Sequence, residues 1–425
     1  MFDGKYLPLR LDGEFESFSL YYCTMISATE ALSLIRTTVR PLQAVTTSLE
    51  HSLGMALAEP ITSPVNVPPF DNSAMDGYAI HAVDTFNVPA KLRIVGEVAA
   101  GFAGSLSIGT GECAAIMTGA KIPDGCDAVI QHELVEINAD GTISLQKSVK
   151  SGHNIRRAGA DIAAGQRVFE IGHLLRPQEL GVLASIGKQF VSAFKRPSVA
   201  ILATGNELVA IDKPLRDGTI RNSNAYAIAA AVTEHGADVV NLGIARDDAA
   251  ELRAKLVDGL RSDMLITIGG VSAGKYDLVI NELKALGVET IFWKVNIKPG
   301  MPLFFGILQT GRGITPVFGL PGNPVSSMVT FLQFVCPALD ILAGKSLAMV
   351  VPQRAKLVEA ISKGDGKRHF VRGRAEIIDG TLTVRTTGSQ ISNIMTSLAR
   401  ANCLIILPEE FESANAGAEV EIQWL

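Results

Sequence analysis

The sequence predicts a multidomain α/β protein. A central parallel-sheet α/β domain covers residues 191–345, elongated and small β modules precede it, and a C-terminal β-barrel-like domain covers 346–425. Three observations predict this. A chain of 425 residues is too long for one ordinary core, and its length suggests about three domains. From Ser198 onward short apolar, partly β-branched runs alternate with helical spacing, the pattern of a parallel sheet with right-handed crossovers. Flanking stretches, 91–146 and 353–425, instead show period-two alternation broken by turn residues.

Residues 1–24 match no periodic template, and Met25 stands just before a capping box, Ser27-x-x-Glu30, that opens a helix at Ala28. The expectation is that Met25 is the native start and that 1–25 are an unstructured or spurious extension. An elongated N-terminal domain is expected over 26–75 and 150–190, with a small β domain, 76–149, inserted in it. Helical spacing over Ala31, Leu32 and Ile35 is followed by a second short helix expected over Leu49 to Ala58. In PVNVPPFDNSAMDGYAI (64–80) the Pro pair forbids helix, and Asp71 and Asp76 stand among turn formers. Two readings are open there: a polar turn between modules, or carboxylates aimed into a site. Thr118, in MTGA, is a strand-end hydroxyl bound to backbone or a ligand to an anion. Arg156 and Arg157 belong to a solvated loop or serve an anionic substrate, and Pro177 starts a helix at its first turn.

Strands are expected over Val199–Ala203, Asp238–Leu242, Met264–Ile268, Thr290–Val295 and Thr315–Phe318, with helices over Ala225–Glu234, Ala249–Leu260 and Leu278–Leu286 between the first four. Each strand is followed by polar or Gly-rich chain, at the end where open α/β sheets bind ligands. Gly269, Gly270, Ser272 and Gly274 let backbone amides approach a phosphate, although tight turns also use glycine for steric reasons. Pro321, Gly322, Asn323 and Ser326 form a second rigid turn at a helix start. Lys294 and Lys298, four apart in extended chain, fall on one face and supply positive charge; the alternative is an exposed edge strand with solvated lysines. Among the carboxylates Glu207, Asp247, Asp248 and Asp277, Glu207 and Asp277 follow glycines at strand ends, where acids holding a divalent cation would lie, and Asp248, with Glu251 three residues on, looks like an N-cap.

A net charge of −5 argues against a general nucleic-acid binder. Five scattered cysteines without a CxxC pair fit a reducing compartment and no zinc site. No secretory signal is visible in Met1 to Thr24, and the apolar stretch Val325 to Ala343, interrupted by Gln333, Pro337 and Asp340, reads as a core helix and not a membrane span. The expected location is the cytoplasm.

Taken together, PPFDNSAMDGYA (68–79), IMTGAKIPDGCDAV (116–129), LATGNEL (202–208), NLGIARDD (241–248), GGVSAGKYD (269–277), FWKVNIKPGMP (292–302) and GLPGNPVS (319–326) resemble the molybdopterin molybdenumtransferase family, the bacterial MoeA proteins and the gephyrin E domain. The resemblance implies that the α/β domain binds molybdopterin and that molybdate enters adenylated molybdopterin, AMP leaves and Mg²⁺ is required. It implies roles for Asp71, Thr118, Glu207, Asp247, Asp277, Lys294, Lys298, Arg372 and Ser392, with Glu207, Asp247 and Asp277 at the metal. A homodimer is implied, with the Asp71 turn of one subunit serving the other, a molybdopterin adenylyltransferase as supplier and molybdoenzymes as acceptors. The sequence departs from the family at Met301, where a second lysine is common, at Lys275, and at Ile391-Ser392-Asn393. Two other functions share parts of this pattern: the adenylyltransferase built on the same α/β domain, and a scaffold of the gephyrin type.

Overall fold

The structure is a computed structural model that describes residues 25–101, 106–271, 278–346 and 353–425. Two compact units result, one of Thr46–Ala193 and one of residues 25–45 with 194–425. The chain opens with helix α1 (Ala28–Thr38), capped as expected by the Ser27 hydroxyl, which accepts the Glu30 amide at 3.1 Å.

In the Thr46–Ala193 unit the second helix does not form. Only a single tight turn, Leu49–His51, is helical; Gly54 has φ +77°, and Ala56 and Leu57 pair as bridges with Leu174 and Ala193. Non-local pairing overrides the local spacing that suggested a helix. Six strands follow: β1 (Gly77–Ile80), β2 (Ala90–Val98), β3 (Glu112–Ile116), β4 (Ala128–Gln131), β5 (Val135–Ile137) and β6 (Thr142–Leu145), in the order β4-β1-β3-β2-β6-β5. Their inward residues, among them Ile80, Leu92, Ile130 and Ile143, form a core of their own. Helix α2 (Pro177–Ser185) has Pro in its first turn as expected, and its buried Glu179 accepts from the Arg176 amide and guanidinium.

The other unit is built on a six-stranded sheet. Its strands are β7 (Ser198–Thr204), β8 (Asp238–Ala245), β9 (Met264–Ile268), β10 (Glu289–Trp293), β12 (Phe304–Thr310) and β13 (Gly313–Leu320), in the order β8-β7-β9-β13-β12-β10. The short β11 (Ile297–Lys298) lies outside this sheet. Strands β8, β7, β9 and β13 are parallel, as expected. The sheet as a whole is mixed, because the unforeseen β12 runs antiparallel between β13 and β10. Phe292, Phe305 and Phe318 are cross-strand partners on β10, β12 and β13, with ring centroids 5.3 and 4.8 Å apart. Such aromatic pairs hold the antiparallel half together.

Helices α3 (Ser223–Glu234), α6 (Pro324–Thr330) and α7 (Cys336–Leu342) join α1 on one face of this sheet, where Ile35, Ile228, Val325 and Leu339 share a core. Helices α4 (Ala249–Gly259) and α5 (Leu278–Ala285) cover the other through Leu252, Leu256, Val279 and Leu283. Asp248 caps α4 by accepting the Glu251 amide at 2.8 Å. The run from α6 to α7, Pro324–Leu342, is long and apolar enough to cross a membrane by length and composition, but most of it is packed into this core. The C-terminal strands β14 (Gln353–Leu357), β15 (Arg368–Ile378), β16 (Thr381–Thr386), β17 (Cys403–Leu407) and β18 (Glu419–Trp424) run β15-β16-β14-β18-β17, and β15 also pairs with β17. That extra pairing closes a barrel and removes the sheet edges.

Candidate functional site

Strand register builds the site. Thr204 pairs with Ala245, Ala203 with Ile268, and Ile268 with Leu320, so four parallel strands end in one row. The loops leaving that row line a cleft of about 810 Å³. It brings together Gly205 and Glu207 after β7, Asp247 after β8, Gly269 and Gly270 after β9, and Pro321, Gly322 and Asn323 after β13. Ser272, Gly274 and Asp277 lie outside the described residues.

Packing fixes these loops. A Cβ on Gly269 would stand 2.8 Å from the Thr204 carbonyl oxygen, and one on Gly270 would stand 2.5 Å from Val279 Cγ2; both have positive φ. The glycines therefore let the loop seat on β7 and α5. A Cβ on Gly205, at φ +145°, would meet Glu207 Oε2 at 2.4 Å, so the Glu207 carboxylate folds over a position only glycine leaves open. Asn206 Oδ1 accepts the Asp247 amide at 3.1 Å, and Asn224 Nδ2 donates to the Gly322 carbonyl at 2.7 Å. Glu207 and Asp247 make no ion pair among the described residues. Nor do any three His, Cys, Asp or Glu side chains there cluster closely enough to hold a metal by themselves.

The two lysines do not share a strand. Lys294 follows the end of β10 with φ +77°, and its ammonium lies 4.7 Å from the centroid of the Trp293 ring. Trp293 in turn donates to the Val271 carbonyl at 3.0 Å, which ties this turn to the loop after β9. Lys298 lies on β11, which pairs parallel with β15 through Ile297↔Arg368 and Lys298↔His369. The two side chains do not share a face, because the strand ends at Trp293 and Lys294 itself is left-handed, so no extended chain joins it to Lys298. Lys298 instead faces a second pocket of about 620 Å³ that it lines with Ser326, Lys367, Gln390 and Ser392; Pro302 borders both cavities.

Around Lys298 the barrel supplies countercharge. Asp365 Oδ2 lies 3.3 Å from the Lys298 ammonium and Oδ1 lies 2.7 Å from His369 Nε2. Burial pushes the Asp365 carboxyl up, but hydrogen bonds from His369 and the Lys367 amide, with the charges of His369 and Lys298, hold it down at about 2. Burial lowers His369, so at neutral pH the ring holds Asp365 through its hydrogen bond and not through charge.

In the Thr46–Ala193 unit, Asp71 accepts from Arg157 Nη1 at 2.5 Å and from the Ala158 amide at 2.8 Å. Those two bonds, to the amide first and to the guanidinium next, hold its carboxyl below the usual range. Thr118 donates both amide and hydroxyl to Asp76, at 2.6 and 2.8 Å, and not to backbone. The Asn72↔Lys121 bridge and the Ser73–Ala120 hydrogen bond bring the two turns side by side.

Comparison with known proteins agrees over nearly the whole chain. Residues 26–187 match the MoeA N-terminal region (domain I and II), 200–341 the "Probable molybdopterin binding domain", and 354–425 the MoeA C-terminal region (domain IV). The molybdopterin molybdenumtransferase of Haemophilus influenzae is 37% identical over 386 residues, 90% of this chain and 94% of that one. The chain belongs to the molybdopterin molybdenumtransferase family. A Mycobacterium tuberculosis molybdopterin molybdenumtransferase 2 is 34% identical over 94% of this chain and 99% of its own. The crystal structure of the molybdopterin biosynthesis MoeA protein from Pyrococcus horikoshii OT3 superposes with a TM-score of 0.80 at 29% identity, covering 95% of this chain and all of that one.

Within this molybdenumtransferase fold Arg372, expected among substrate-binding residues, is only 1% exposed. Its guanidinium donates to Ser397 Oγ and to the carbonyls of Ser389 and Ile391 at 3.1, 3.3 and 3.2 Å. It holds the loop that carries Ser392, whose carbonyl accepts the Val325 amide of α6 at 3.0 Å. Asn323 is the residue before α6 but makes no side-chain cap bond. Sequence reasoning missed Asn206, Asn224, Asp365, Lys367 and His369. The signal for the last three is the polar turn Lys363–His369 immediately before an alternating strand.

Proposed function

We propose that this chain inserts molybdate into adenylated molybdopterin in molybdenum cofactor biosynthesis, with AMP released and Mg²⁺ required. The observation that carries this is the cleft at the sheet's carboxyl row, with two carboxylates that make no ion pair among the described residues, beside a glycine loop and next to a lysine-lined pocket. Both substrates are anions, and two unit charges 4 Å apart repel by about 4 kcal/mol at an effective dielectric of 20. Lys298, which lines that pocket, offsets part of the repulsion, and Lys294 is assigned to the same task. Glu207 and Asp247 fit Mg²⁺, which takes one or two carboxylates and completes its shell with water and substrate phosphate. Bound there, it would polarise phosphoryl oxygens. The chain's own residues do the rest: the Gly269-Gly270 turn shapes the cleft floor, and Asn206 and Asn224 fix the loops that carry Asp247 and Gly322.

The working unit is a homodimer, in which Asp71 and Thr118 of one copy serve the other. A molybdopterin adenylyltransferase supplies the adenylate and molybdoenzymes accept the product, in the cytoplasm. In the decisive assay purified protein receives adenylated molybdopterin, Mg²⁺ and molybdate. AMP release should depend on molybdate, and Lys298→Ala should lose it while the dimer stays folded. Consumption of ATP with free pterin, or full turnover by Lys298→Ala, would overturn this reading.

A further inference from the structure

The pocket beside the cleft holds a cation that the expected site residues do not include. Two lysines, Lys298 and Lys367, line it. Asp365 lies 3.3 Å from Lys298 and partly neutralises it. Among the described residues Lys367 has no such neighbour. Asp365 Oδ1 accepts its backbone amide at 3.3 Å, while its half-buried ammonium stands 3.7 Å from Met301 Sδ. Among the described residues the Lys367 ammonium makes no ion pair. A thioether is a weak acceptor, and withdrawing an ammonium from water without a counter-ion costs free energy.

The turn that presents Lys367 is itself held. Lys363 Nζ donates to the carbonyls of Lys367 and Glu409 at 2.5 and 3.0 Å. Asn296 Nδ2 donates to the Gly366 carbonyl at 3.0 Å, and the Asn296 carbonyl accepts the Arg368 amide at 3.1 Å. Across the pocket the hydroxyls of Ser326 and Ser392 donate to no acceptor among the described residues. Lys298, only partly neutralised by Asp365, Lys367, whose one acceptor is a thioether, and two uncommitted hydroxyls belong to residues around one space, so donors there exceed acceptors.

We propose that Lys367 is the second cation of an oxyanion subsite in this pocket, one that takes a tetrahedral dianion of the molybdate class. The inference rests on the function proposed above. Met301 Sδ lies 3.7 Å from the Lys367 ammonium, so a lysine at 301 would carry its charge to about the same place.

Molybdate binding to the full chain, measured by calorimetry with tungstate as a second probe, tests this. One charge-assisted hydrogen bond is worth enough to change affinity about tenfold or more. Lys367→Met should weaken binding by that factor, Lys367→Arg should retain it, and Met301→Lys placed in the Lys367→Met background should restore most of the loss. If Lys298→Ala abolishes binding while Lys367→Met leaves it unchanged, Lys367 is a bystander and the pocket reading stands. If both leave it unchanged, the pocket is not the oxyanion site and the proposed function loses its support there. Should Lys367→Met fail to fold, a tungstate-soaked crystal of the wild type decides: anion density in contact with the Lys367 ammonium supports the assignment, and density elsewhere overturns it.

Discussion

Arg372→Met separates a residue that touches ligand from one that holds the pocket's wall. The guanidinium is 1% exposed and makes three hydrogen bonds, two of them to carbonyls of the loop that precedes Ser392. Met fills similar volume but donates nothing, so the Ser389 carbonyl loses its donor and the Ile391 carbonyl keeps only the Ile394 amide. Ser397 is less affected, because its hydroxyl already donates to the Ile394 carbonyl at 2.6 Å. An orphaned buried acceptor costs about 1–3 kcal/mol. Ser389 and Ile391 are otherwise exposed, so water recovers part of that. Removing a cation that burial alone pushes down in pKa, with no carboxylate beside it, recovers more. The net expectation is a loss of about 1 kcal/mol, which lowers the melting temperature by roughly 2–4 °C for a unit of this size. Amides of residues 390–394 should exchange faster, because the Ile394 amide bonds to the Ile391 carbonyl across this turn. Hydrogen exchange with mass spectrometry on the full chain, alongside molybdate titration, reads both effects. If molybdate affinity collapses while exchange and melting are unchanged, Arg372 reaches the ligand itself and the positioning argument is wrong.

Two further perturbations test the cleft and its flank. Gly205→Ala drives a Cβ to 2.4 Å from Glu207 Oε2 at φ +145°, a strain of about 1–3 kcal/mol that moves the carboxylate; turnover should need more Mg²⁺ while the fold persists, and an unchanged Mg²⁺ dependence would count against Glu207. Asp365 has its carboxyl depressed in the folded state to about 2 from 3.8, so its stabilising contribution is full above pH 4 and fades as pH falls toward 2. The melting-temperature gap between wild type and Asp365→Asn should therefore shrink across that window; a gap independent of pH rules out this linkage.

What was legible in the sequence was local. Ser27 and Asp248 cap helices because a short polar side chain before an apolar run has few better partners than the free amides ahead of it. The parallel strands and the loops that follow them were legible for the same reason, since alternation and glycine position are properties of a few adjacent residues. Partnership between distant segments was not. The hairpin of β12 and β13 hid in one run from Phe304 to Leu320, although Gly311-Arg312-Gly313 marks its turn. Lys294 and Lys298 share a face only in extended chain, and Lys294 is itself left-handed; a buried arginine cannot be told from a ligand-binding one by its neighbours in sequence.

The pocket shows why this limit matters for function. Lys367 and Met301 are separated by 66 positions, and nothing about either one points to the other. What joins them is a ladder of two residues, Ile297↔Arg368 and Lys298↔His369, between β11 and the start of the barrel strand β15. Side chains alternate faces along a strand, so a slip of one residue in that ladder would turn the basic residues of the turn away from Lys298. The charge of the pocket is thus a consequence of register: the barrel closes on itself through β15 and β17, which fixes where β15 begins, and β11 pairs at that beginning. Electrostatics at the cleft's edge are set by how a separate β module docks, and the C-terminal barrel belongs to the site as much as the sheet does.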